Sequence, residues 1–182
     1  MKKKILFLSL FLGILLNLCV AQSPKFINAE FLGSYNLLGA SFDSRFNENS
    51  KLGYKIGFGY GYQKHTGNTN ISLAIIDASN DAIGDLYTCY SIPVNVHYLI
   101  GKEKHFLETG LGITLFATDY SFKNNSNTRV GYYSFARIAY RFEPKKIPML
   151  FSAGIDMPFH TPGSGLNYSF GITPSITVGY KL

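Results

Sequence analysis

Tryptophan is absent from this chain, and cysteine occurs only at Cys19 and Cys89. The four histidines are scattered, and Cys89 has no ligand partner at metal-binding spacing, so no metal site is predicted. No Gly-x-Ser-x-Gly elbow and no His-x-Ser spacing is present, so the common hydrolase signatures fail. Beyond the N-terminal twenty-odd residues, no apolar run reaches the roughly 18 residues that a membrane-crossing helix requires. Acidic residues are few, 11 against 17 lysines and arginines, which gives a net charge of +6. Lys2, Lys3 and Lys4 account for half of that excess, and the remainder forms no nucleic-acid footprint. Internal repeats, linkers and low-complexity tracts are also missing, which favours one compact domain.

The N-terminus has the form of an export signal. Lys2–Lys4 make a positive start, Ile5 to Leu18 an apolar run, and Cys19-Val20-Ala21 a small-residue processing site. Cleavage is expected after Ala21. Residues 1–21 are then a signal peptide and residues 22–182 the mature domain, with Cys89 its only cysteine and no intramolecular disulfide. The alternative is a lipoprotein signal acylated at Cys19, against which stands the bulky Leu18 just before it.

From Phe26 onward the sequence alternates. In Ser91–Ile100, Ile92, Val94, Val96, Tyr98 and Ile100 share one face, and Ser91, Pro93, Asn95 and His97 the other. The apolar parity recurs from strand to strand while the polar parity carries full charges, the pattern of a membrane β-barrel. Three connections are short and polar (47–50, 101–104 and 143–146). Two are long (63–86 and 119–128), and a third near His160–Leu166 is rich in Gly and Pro. Outer-membrane barrels have short periplasmic turns and long outer loops. Counting back from the C-terminus yields strands near 167–182, 147–159, 129–142, 104–118, 87–100, 51–62 and 37–46. Residues 26–33 supply an eighth, with Ser34-Tyr35-Asn36 as a tight outer turn. The predicted fold is all-β: an eight-stranded antiparallel up-and-down transmembrane β-barrel with both termini periplasmic. Ile71–Ile76 is read as a strand extension or hairpin above the membrane. Pro93 and Pro174 each remove a ladder donor and predict local bulges.

Leu52, Tyr54, Ile56, Phe58 and Tyr60, together with Leu107, Leu111, Ile113 and Leu115 and with Ile147, Met149, Phe151, Ala153, Ile155 and Met157, are assigned to the lipid face. Tyr60, Tyr62, Tyr132, Phe159 and Tyr168 are expected at the outer interface, and Phe46, Phe142 and Tyr180 at the inner one. The inward parity holds Glu30, Asp43, Arg45, Lys55, His97, Glu108, Arg137, Arg141, Asp156 and Lys181. An eight-stranded barrel is narrow and normally filled by side chains, and mixed charge within it must be paired. A salt-bridged plug is therefore predicted. Gly53, Gly57, Gly59, Gly61, Gly110, Gly112 and Gly154 share the inward parity and are expected to make room for the long cations.

The segment Ser91–Gly110 (SIPVNVHYLIGKEKHFLETG), Asp43-Ser-Arg-Phe46, Gly57-Phe-Gly-Tyr60 and the closing Val178-Gly-Tyr-Lys-Leu182 resemble small outer-membrane β-barrel proteins of the OmpA/OmpX-like, or porin-family, type. The resemblance spans the mature chain and implies fold and location, not an activity. Such barrels usually end in Phe or Trp, which the assembly machinery reads. This chain ends in Leu182, with Tyr180 on the same face as a substitute.

The functional expectation is a non-enzymatic envelope protein without catalytic residues, metal or cofactor, whose outer loops meet an unidentified surface partner. Its other partners are outer-membrane lipid and the barrel-assembly machinery, and no nucleic acid is expected. The alternatives are an outer-leaflet lipid-modifying enzyme, a small-solute channel, and a soluble ligand-binding barrel with the apolar parity turned inward. His65 and His160, at outer strand ends, are the histidines an enzyme would use. Asp77, Asp81 and Asp85 recur at intervals of four, unlike a calcium loop.

Overall fold

The computed structural model describes residues 23–66, 70–73, 86–120, 127–160 and 172–182. These form β1 (Lys25–Leu32), β2 (Leu38–Arg45), β3 (Leu52–Thr66), β4 (Asn70–Leu73), β5 (Leu86–Lys102), β6 (His105–Tyr120), β7 (Asn127–Phe142), β8 (Met149–His160) and β9 (Thr173–Lys181), with one short 3-10 turn at Gly33–Tyr35. The expected signal peptide (residues 1–21), Asp77, Asp81, Asp85 and Tyr168 lie outside the described residues, as do the side chains of Tyr62, His65 and His160.

Alternation of apolar and polar residues drives each segment into a strand with two chemically distinct faces. Eight of the strands then close into a ring. β1 pairs antiparallel with β2 on one side and, from Phe26 against Lys181 to Leu32 against Ser175, with β9 on the other. β2 pairs with β3, β3 with β5, and each strand from β5 to β9 with the next. Because every strand of the ring has two neighbours, no sheet edge remains along the wall. β4 stands outside the ring, continuing the hairpin beyond the end of β2, with Gln63 against Leu73 and Thr66 against Asn70.

The start of β1 and the end of β9 lie at one end, hereafter the near end, where the Leu182 amide donates to the Lys25 carbonyl at 2.9 Å. The wall is uneven. β5, β6 and β7 run 16 or 17 residues, whereas β1, β2 and β9 run eight or nine.

The apolar parity faces outward. Ile56 is 45% exposed, Leu111 64%, Ile113 49% and Ile176 50%, while Lys55, Glu108, Arg137 and Arg141 on the opposite parity are 0–1% exposed. This contradicts the soluble barrel with an inward apolar face. Aromatic contacts mark both ends of the band: Phe46 on Tyr54 (5.6 Å between ring centroids) at the near end and Tyr60 on Tyr90 (5.5 Å) towards the far end.

The prolines behave differently from expectation. At Pro93 the pairing between β3 and β5 is interrupted after Ile56–Val94 and resumes at Gly59–Ser91 in the same register. Pro174 stays in register opposite Ile155. The register shift falls instead between Ser134 and Phe135, where β7 meets Pro158. A missing donor can leave a gap without inserting a residue, so proline in a strand does not dictate a bulge.

Closure between first and last strands is directly testable. Ala29 lies opposite Val178, and directly paired positions bring Cβ atoms to about 4.5–5.5 Å. Ala29→Cys with Val178→Cys should crosslink under mild oxidation, read as a shifted non-reducing gel band. Ala29→Cys with Gly179→Cys, on opposite faces, should not.

Candidate functional site

The near half of the lumen is filled by charge, and each strand of the ring contributes a polar side chain. Glu108 on β6 is the hub: Arg137 Nε donates to it at 3.1 Å and Arg141 Nη1 at 3.2 Å, with Lys55 Nζ at 3.8 Å. Arg141 Nη1 also donates to Asp43 at 2.7 Å, and Arg137 Nη1 to Asp156 at 3.1 Å. Lys55 lies 3.2 Å from Glu30, and the Glu30 carboxylate accepts from Ser41 and Thr177, each at 2.6 Å. At the near rim Arg45 forks onto both oxygens of Glu143 at 2.8 and 2.9 Å, and Arg141 Nε donates to the same carboxylate at 2.7 Å. All eight predicted residues, Glu30, Asp43, Arg45, Lys55, Glu108, Arg137, Arg141 and Asp156, thus belong to one connected ion-pair network.

The layout follows from register. Asp43 faces Lys55 across β2 and β3, and Arg137 faces Asp156 across β7 and β8, so two pairs are built into the ladder itself. The long Arg141 side chain reaches across the lumen to Asp43, packing its guanidinium over the Phe26 ring at 5.2 Å. Taking such charges out of water is costly, and pairing offsets the cost only when remaining hydrogen bonds are also made. Ser41 and Thr177 supply two of these.

Some expectations are corrected. Lys181 shares the inward parity but is exposed at the near rim, because β9 ends there. Ser34-Tyr35-Asn36 does form the tight β1–β2 connection, but it folds into the lumen: Ser34 and Tyr35 are each 1% exposed. Leu32, Gly33 and Asn36 all have positive φ, 62°, 64° and 64°. Two of these are not glycine, so the turn stores backbone strain of order 1–3 kcal/mol per residue. The Ser34 amide donates to Asp156 at 2.8 Å, which ties the turn to the charge layer. The inward glycines do not make room for lysine and arginine. A Cβ on Gly39, Gly57 or Gly59 would meet Tyr35, one on Gly53 would meet His97, and one on Gly112 would meet Phe135.

Residues missed at the sequence level are Tyr35, Glu143, Ser41 and Thr177. Ser41 and Thr177 have the inward parity and were within reach of pattern reading. Glu143 lies one residue past the end of β7, where parity lapses. Beyond the charge layer the lumen turns apolar, with Cys89, Phe116, Tyr133 and Phe135 in one buried cluster. His97 is buried, with Nε2 3.7 Å from Asp43, and neither ring nitrogen makes a hydrogen bond, so no nucleophile is activated there. Among the described residues no three His, Cys, Asp or Glu side chains converge as metal ligands.

The arrangement defines a closed, internally filled barrel of the small outer-membrane type. The N-terminal β-barrel domain of OprF from Pseudomonas aeruginosa has this fold, with a TM-score of 0.55 and 8% identity over 89% of this chain and 98% of that domain. The attachment invasion locus protein Ail of Yersinia pestis, solved with the heparin analogue sucrose octasulfate, gives 0.49 at 12% identity over 88% and 97%. Neisserial surface protein A gives 0.49 at 9% over 88% and 94%. At these identities the likeness concerns fold alone, and it rests on the first of the three. No protein-family model matches the chain, and no curated protein matches it in sequence.

Removing one member of the network strands its partners. Arg137→Met leaves Asp156 without its cation and Glu108 with only Arg141 and Lys55, and should cost about 3–5 kcal/mol, read as a lower urea midpoint of the folded barrel. Adding Asp156→Asn, which removes the carboxylate left unpaired, should recover a large part of that loss. Equal midpoints for wild type and Arg137→Met would contradict the network's structural role.

Proposed function

We propose that the chain is a non-enzymatic integral protein of a Gram-negative outer membrane, exported by a signal peptide at residues 1–21. The near end faces the periplasm and the long connections face outward, where they present a recognition surface to an unidentified partner. The barrel is their rigid support. The observation that carries this reading is the pairing of two faces: a continuous exposed apolar exterior around a lumen whose charged side chains are buried and ion-paired. Water outside would penalise the first, and a wide aqueous pore would not require the second.

The short near-end connections agree with this orientation. Only Glu103 and Lys104 separate β5 from β6, and residues 143–148 separate β7 from β8. They carry Lys104, Lys145 and Lys146, with Lys102 at the end of β5, suited to a headgroup region. Tyr180 and Leu182, 58% and 64% exposed, are free to serve as the C-terminal signal for the barrel-assembly machinery.

Cell fractionation tests the proposal. The mature protein should begin at Gln22 by intact mass, sediment with the outer membrane, and show heat-modifiable gel migration. A protein recovered from the periplasm, or with unchanged migration after boiling, would overturn it.

A further inference from the structure

On the outer wall between β7 and β9 the apolar surface is not flat. Tyr140, Ala153 and Ile176 lie side by side across three strands, with Phe142, Phe151 and Val178 in the adjacent row nearer the termini. Ala153 is the one small side chain among these bulky neighbours. It floors a groove of about 450 Å³ lined by Tyr140, Phe142, Phe151, Ile176 and Val178 and reaching His105 at its near mouth. There His105 hydrogen-bonds the Tyr140 hydroxyl and packs on the Phe142 ring at 5.1 Å.

The connections beside this mouth are cationic. Lys104 holds its ammonium 5.8 Å from the centre of the Phe142 ring, and exposed Lys145 and Lys146 lie on the connection between β7 and β8. Of the acids close by, Glu103 pairs with Lys145 at 3.8 Å, and Glu143 is turned into the lumen by Arg45 and Arg141. On the two connections beside the groove, Lys104, Lys145 and Lys146 thus outnumber the acids that remain outside the lumen.

We infer that this groove is a binding site for one anionic phospholipid of the near-side leaflet, with an acyl chain along Ala153 and the phosphate at Lys104, Lys145 and Lys146. The inference rests on the membrane-embedded reading given above. An apolar groove that opens at a cluster of cations at one interface matches the two halves of such a lipid: hydrocarbon contact supplies affinity and the cations supply headgroup choice. A second barrel is the less suitable occupant, because the groove ends at like charges that two copies would bring together.

Native mass spectrometry in mild detergent, with phosphatidylglycerol and phosphatidylcholine of identical chains offered together, is the test. Wild type should retain phosphatidylglycerol preferentially. Ala153→Phe fills the groove from the lipid side and should reduce retention about tenfold, the effect of losing roughly two buried methylenes. Ala153→Leu serves as a milder filling variant should the phenylalanine disturb folding. Lys104→Gln with Lys145→Gln and Lys146→Gln should abolish the preference while leaving lipid retention. Undiminished retention in both Ala153 variants, or no headgroup preference in wild type, would overturn the site. Failure to reach the outer membrane at all would instead overturn the membrane reading. Heat-modifiable protein in that membrane with no retained lipid would overturn the groove alone.

Discussion

Every backbone N–H and C=O in a membrane's hydrocarbon core must find its partner within the protein. The pairing of β1 with β9 joins the first strand to the last and turns an eight-stranded sheet into a ring, the closure that such a core would demand. Much of the rest is a consequence. Closure at eight strands fixes a narrow interior, and a narrow interior has to be packed by the side chains that alternation sends into it. The same alternation places the apolar residues on the outside, so one periodicity makes an apolar exterior and creates the problem of filling the lumen.

The lumen is filled in two chemically different layers. Towards the termini, Glu108 gathers Lys55, Arg137 and Arg141, and the network runs on through Asp156 to the backbone of Ser34. Towards the other end, Phe116, Tyr133 and Phe135 pack with Cys89, and the β1–β2 turn inserts Tyr35 against Gly39, Gly57 and Gly59. The strained turn and the charge layer depend on one another. Asp156 holds Ser34 with one oxygen while Arg137 holds the carboxylate, so loss of either partner would loosen both. Buried ion pairs add little net stability compared with apolar packing, but breaking one is costly. The network therefore acts less as a source of stability than as a constraint that fixes which side chains occupy the lumen.

Strand number, strand order and which parity faces out were legible in the sequence, because period-two patterning reports the face of each residue directly. Ser91 to Ile100 alternates buried and exposed without a break. Patterning does not report depth or distance. Lys181 has the parity of the lumen but sits at its rim, and Glu143 has left the strand yet bonds to Arg45 and Arg141. Turns have no parity, so nothing in Ser34-Tyr35-Asn36 signalled that it folds inward. The glycines of β3 were readable as inward-facing, but not as the seat of Tyr35, a residue 22 positions before Gly57. Local alternation thus specifies a wall, whereas the filling of the lumen depends on contacts between residues far apart in sequence.

The central claim is that side chains close this lumen, with ion pairs across its near half and Tyr35 and the aromatic cluster beyond. Single-channel recording of the purified, folded protein in planar bilayers tests it most directly. The structure predicts no large, stable conductance. A steady, long-lived open level of porin size would contradict it.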